Sequence, residues 1–182
     1  LRGFRLGLSE KDKVFLKQLA RDAIEARLFH KKMSKREIPD SLKHKQGAFV
    51  TIKKKGELRG CIGYIKAYLP LYETVEEMAQ HAAFNDPRFE ALKPEELDDI
   101  EIEISVLSPL KKINSIDEIE VGRHGIYIEK GFYSGLLLPQ VATEYNWDRK
   151  TFLEHTCYKA GLDKDAYKDK DTNIYIFTAE VF

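Results

Sequence analysis

The chain has 182 residues, of which 43% are hydrophobic, 11% aromatic and 33% charged, an ordinary balance for one globular domain with a sizeable core. Lys plus Arg and Asp plus Glu number 30 each, so the formal net charge is zero, which argues against bulk binding to a phosphate backbone. Two cysteines, Cys61 and Cys157, stand far apart without ligand spacing, which speaks against a disulfide framework or a zinc site and for a reducing, cytosolic compartment.

The sequence starts at Leu1 rather than methionine, as a trimmed protein or a piece of a longer polypeptide would. Its first apolar residues are interrupted by charges, unlike a signal peptide, and no run approaches the length of a membrane span. Ser9 followed by Asp12 reads as a capping box for a helix to about Phe29, with Phe15, Leu19, Ala23 and Ala26 as its apolar stripe. Lys31, Lys32, Lys35, Arg36, Lys43 and Lys45 follow in a polar segment. No aromatic residue is interleaved there for base stacking, so it reads as a solvated loop.

"AFVTIKK" (48–54) and "ELRGCIGYI" (57–65) flank a Lys-Gly pair, a tight hairpin with Gly56 supplying a positive φ. Leu71, Val75, Met78, Ala79 and Ala82 mark a second amphipathic helix that Pro87 cannot continue. "KPEEL" (93–97) predicts a short helical turn. "DIEIEISVLS" (99–108) alternates Ile100, Ile102, Ile104 and Val106 against Glu101, Glu103 and Ser105, an antiparallel strand with one wet face. "GIYIEK" and "YSGLLLP" form a second hairpin through Gly131, and Pro139 opens a helix. Asp148 caps another helix that Gly161 terminates, and "NIYIFTAEVF" (173–182) closes the chain as one strand. Hairpins dominate and regular strand–helix alternation is absent, so the fold class is α+β with mostly antiparallel sheets and flanking helices.

The stretch 58–63, "LRGCIG", carries the chemistry of interest. Strand alternation puts Arg59, Cys61 and Gly63 on one face and Leu58, Gly60 and Ile62 on the other. A guanidinium beside a thiol favours the reactive thiolate, and Gly63 removes the next side chain on that face, leaving room for a ligand. Gly60 admits close approach to the backbone from the other side. The plainer account makes Cys61 a small buried hydrophobe and pairs Arg59 with a carboxylate from another strand. Of the five histidines, His81 lies on the second helix and His124 in a turn between Gly122 and Gly125; neither is placed at Cys61 by the sequence. No metal motif and no phosphate loop is present, so no cofactor and no metal site is expected. In "FNDPRFEAL" (84–92), Asp86 suits a turn, and Arg88 either binds an anionic ligand or pairs with Asp86 or a glutamate.

"LRGCIG" (58–63), "AAFNDPRF" (82–89), "EELDDIEIEISVLSP" (95–109), "GLLLPQVATEYNWD" (135–148) and the closing "AEVF" resemble, in order and spacing, the AMMECR family, for which "LRGCIG" serves as a signature. The resemblance implies one AMMECR-type domain over 1–182 built as two unequal lobes, the smaller within about 110–140, with the signature near the cleft between them. It also implies association with Memo-like and radical-SAM proteins. Two functions follow as expectations. The first is a cytosolic binding domain that takes a small ligand or protein partner in a cleft lined by Arg59, Gly60, Gly63, Asp86 and Arg88, with nucleic acid and membrane not expected as partners. The alternative is a thiol-dependent enzyme using Cys61 as nucleophile and Arg59 to orient a small anionic substrate.

Overall fold

The structure is a computed structural model, and residues 7–182 are described. Helix α1 spans Glu10–Leu28; Ser9 accepts the Asp12 N–H while the Asp12 carboxylate accepts the Ser9 N–H, the capping box read from the sequence. Its buried face is Leu16, Leu19, Ala20, Ala23 and Ile24. Phe15 and Ala26 of the predicted stripe are only half-buried, because the helix is rotated to bring Leu16 and Ile24 onto the core. Strands β1 (Ala48–Lys54) and β2 (Glu57–Tyr64) form the expected hairpin, with Lys55 at φ 51° and Gly56 at φ 80° in its turn. Helix α2 (Leu71–Phe84) buries all five predicted residues, and β3 (Ile100–Leu107) follows a 3-10 turn at Pro94–Asp99.

The order of the first sheet is β2-β1-β3-β8, where β8 (Ala179–Val181) is the last of the strands and β2 forms one edge. Val50, Ile52, Ile102 and Ile104 face helices α1 and α2 in a core with Leu16, Ile24, Leu71 and Met78. The opposite face carries Thr51, Lys53, Glu101 and Glu103. It is wet only in part: Ser105, opposite Phe49, is wholly buried, contrary to the simple alternation.

Strands β4 (Lys111–Lys112), β5 (Gly125–Lys130), β6 (Tyr133–Leu137) and β7 (Asn173–Phe177) make a second antiparallel sheet in the order β4-β7-β5-β6. Helix α3 (Pro139–Glu144) and helix α4 (Arg149–Lys159) accompany it, the latter capped by Asp148 and closed by Gly161 at φ 78°. The core of this part is built from Ile126, Ile128, Phe152, Leu153, Cys157, Ile174 and Ile176. Two compact units result, one running to Leu107 and including Glu180–Phe182, the other Ser108–Ala179, which extends well beyond the 110–140 window.

The closing segment departs from the single predicted strand. It ends in the second sheet at Phe177 and resumes in the first at Ala179. Ser108 pins the break: its Oγ accepts the Thr178 N–H at 2.8 Å and its N–H donates to the Thr178 carbonyl at 2.9 Å. Two-residue β4 has no hydrophobic pattern, which is why it escapes a reading based on periodicity. Among the described residues no helix is long and apolar enough to cross a membrane.

Candidate functional site

The pairing of β1 with β2 runs regularly from Ala48↔Tyr64 to Ile52↔Gly60 and then slips, because Lys53 faces Leu58. Arg59 is the extra residue, a β-bulge, and a bulge bends the strand and re-aims its side chain. The alternation that would align Arg59 with Cys61 fails there. Arg59 turns instead to Glu96: Nε and Nη2 donate to its two carboxylate oxygens at 3.1 and 3.0 Å, and Nη1 donates to the Glu90 carbonyl at 2.8 Å. Lys54 joins the same carboxylate at 2.9 Å. The Arg59 guanidinium is thus used up and only 15% exposed. Glu96 is held to about 2, chiefly by Arg59 and further by the Lys93 N–H and Lys54, against the opposing effect of burial.

Cys61 lies opposite Thr51, whose hydroxyl donates to the sulfur at 3.2 Å. The thiol is half-buried, and burial pushes its pKa above the ordinary cysteine value; the Thr51 hydrogen bond and the Arg88 charge act the other way without reversing it. Gly63 leaves no vacancy beside the sulfur, because a Cβ there would strike the Phe49 ring and the Ala48 carbonyl. The space read as a ligand slot is filled by Phe49 across the hairpin. Gly60 has a different reason: a Cβ would collide with the Ala82 carbonyl, so the missing side chain lets α2 lie against β2.

The cation near the thiol is Arg88. Asp86, almost wholly buried, collects four hydrogen bonds. The Cys61 N–H reaches Oδ2 at 3.0 Å, the Arg88 N–H and Nε reach Oδ1 at 3.1 and 3.0 Å, and Arg88 Nη2 reaches Oδ2 at 2.8 Å. Arg88 above all holds the Asp86 carboxyl at about 2, with backbone donors adding to it and burial opposing. Arg88 Nη2 also leans on the Cys61 carbonyl at 3.4 Å. The outward-facing N–H and C=O of Cys61 on edge strand β2 are therefore capped by one aspartate–arginine pair, a device that blunts an open edge. The Arg88 side chain remains 49% exposed, it packs against Phe89, and its Nη1 makes no hydrogen bond among the described residues.

Of the predicted residues, the structure brings Cys61, Asp86 and Arg88 together and takes Arg59 away. Thr51 escapes a reading of the sequence, because a regular ladder from the Lys-Gly turn pairs Cys61 with Val50, and only the extra residue Arg59 shifts the register so that Thr51 lies opposite the cysteine. His81 stands 3.7 Å from Glu77, and His124 accepts the Glu120 N–H through Nδ1 at 3.0 Å within its turn. No group of three or more His, Cys, Asp or Glu suited to a metal ion occurs among the described residues.

The chain as a whole is similar to several known proteins. The AMMECR1 family profile matches residues 17–182. Protein TK0174 of Thermococcus kodakarensis is 46% identical over 180 residues, covering 92% of this chain and 88% of that protein. A protein of Methanothermobacter thermautotrophicus is 45% identical over 183 residues, covering 96% and 95%. The crystal structure of the uncharacterised protein PH0010 from Pyrococcus horikoshii superposes with a TM-score of 0.88 at 44% identity, covering 92% of this chain and 88% of that one.

Proposed function

The chain belongs to the AMMECR1 family, and from that premise we propose that it is a cytosolic binding domain, with the β2 edge at Cys61 and Arg88 as its recognition surface. The observation that carries this reading is the half-exposed Arg88 guanidinium. Asp86 fixes its orientation, and one edge of the fork still faces outward. A carboxylate or phosphate meeting that edge finds a pre-organised donor, so little side-chain entropy is lost on binding. An acidic group on a small ligand or on a protein partner is the complementary chemistry. The resemblance drawn from the sequence names Memo-like and radical-SAM proteins as the partners to try first.

The thiol-enzyme reading has less support. A nucleophilic cysteine needs a lowered pKa or an adjacent base. Here burial raises the Cys61 thiol, Thr51 donates to it rather than accepting its proton, and Arg59 is bound to Glu96.

Titration calorimetry with a purified Memo-like protein tests the proposal. Binding is expected to weaken at least about tenfold in Arg88→Glu, the scale of a lost charge-assisted hydrogen bond, and to persist in Cys61→Ser. Loss of binding in Cys61→Ser with an unchanged melting temperature, together with a thiol that alkylates as if its pKa were below about 8.5, overturns it in favour of the thiol.

A further inference from the structure

The second unit carries four rings in one column. Tyr145 stacks on Trp147 with centroids 5.0 Å apart and planes inclined by 17°. Trp147 lies on His155 at 4.0 Å and 6°, and His155 meets Tyr158 edge-on at 5.9 Å. Between the first two rings, Asn146 takes φ 54°, a left-handed conformation that asparagine tolerates better than most residues and that turns the chain between the two rings. Trp147 packs on the core of its unit and anchors the column, whereas Tyr145 is 66% and Tyr158 56% exposed. Exposed ring surface anchored on a rigid core residue and rimmed by polar groups suits an interaction surface.

Charge at the Tyr145 end narrows the partner. Glu144 and Asp148 flank the Tyr145–Trp147 segment and are exposed, and neither makes an ion pair among the described residues; Asp148 hydrogen-bonds with Thr151 and feels the Lys150 charge. The neighbouring cations are occupied. Arg149 donates to the Asp117 carboxylate and the Ile119 carbonyl, and Lys150 lies 3.8 Å from Glu154. A ring face is electronegative, so an exposed tyrosine with exposed carboxylates flanking its segment complements a cation. A guanidinium fits better than an ammonium, because it is flat enough to stack while its edge donors reach carboxylates.

The geometry points to the Tyr145–Trp147 end of this column as a docking surface for an arginine-bearing segment of a partner protein. It belongs to the other compact unit from Arg88 and has the opposite charge preference, so either site can fail without the other.

Trp147 is the sole tryptophan, and its fluorescence reports on this surface directly. The full chain is titrated with an arginine–glycine repeat peptide and with its lysine–glycine counterpart, by fluorescence and by heat of binding. The arginine peptide is expected to produce a saturable change and to bind several-fold more tightly than the lysine peptide. Tyr145→Ala is expected to weaken it about two- to fivefold, the scale of one exposed cation–π contact, with unchanged circular dichroism, and Glu144→Gln to weaken it further. Absence of binding, equal binding of the two peptides, or an unaffected Tyr145→Ala overturns the proposal. So does a concentration-dependent dimer that Tyr145→Ala abolishes, which would make a second copy of the chain the occupant.

Discussion

Two arginine–carboxylate pairs lie along one strand and have opposite consequences. Arg59 and Glu96 are each only 15% exposed, every donor group of the arginine is engaged, and Lys54 adds a second cation. That pair is a closed clamp on the bulge of β2. Arg88 and Asp86 divide the burial unequally: the carboxylate is almost fully enclosed and the guanidinium is half in solvent. The second pair holds the backbone of Cys61 with its buried half and presents its exposed half outward. Nearness in sequence to the cysteine favours Arg59, whereas nearness in space belongs to Arg88, because a single inserted residue diverts the former.

Acid is the strongest way to test both pairs at once. The carboxyls of Asp86 and Glu96 are held at about 2, below their ordinary 3.8 and 4.5. Groups with depressed folded values contribute stability that is fully present above the unfolded range and is lost as pH falls through the folded one. Each tenfold change in proton affinity is worth about 1.4 kcal/mol, so urea denaturation between pH 5 and pH 2 should show a fall of several kcal/mol. The double variant Asp86→Asn/Glu96→Gln should flatten that slope; an unchanged slope would place the acid-sensitive groups elsewhere.

Asp86→Ala should be the largest single loss, about 2–3 kcal/mol, because it strands the Cys61 N–H and half-frees Arg88. Glu96→Ala should cost less, roughly 1–2 kcal/mol, since the cations it releases can reach water. If equilibrium unfolding reverses that order, the closed clamp rather than the edge cap is the main support of β2. Arg88→Ala should cost about 1–2 kcal/mol, because it strips the almost wholly buried Asp86 carboxylate of its main partner while two backbone N–H groups still bond it. A loss comparable to that of Asp86→Ala would mark Arg88 as chiefly structural and weaken its assignment to recognition.

Much of the fold was legible because local rules agree with one another. The capping box at Ser9, the Lys-Gly turn, the stripe on α2, the alternation of β3 and the Asp148 cap each follow from backbone hydrogen bonding or from a fixed period. The chosen site residues were legible only in part. Asp86 and Arg88 stood out as a turn and a cation, yet nothing in their spacing announces that they cap Cys61 on a distant strand.

Composition, periodicity and turn chemistry in this chain are enough to give an α+β domain of paired hairpins, since each depends on neighbours within a few residues. Which arginine meets the cysteine, whether Gly63 opens a slot, and where the last strand changes sheets were decided only by tertiary contacts. A bulge at Arg59, a ring from Phe49 and a hydroxyl from Ser108 each act across strands, and no local pattern encodes how side chains from separate segments share the same space.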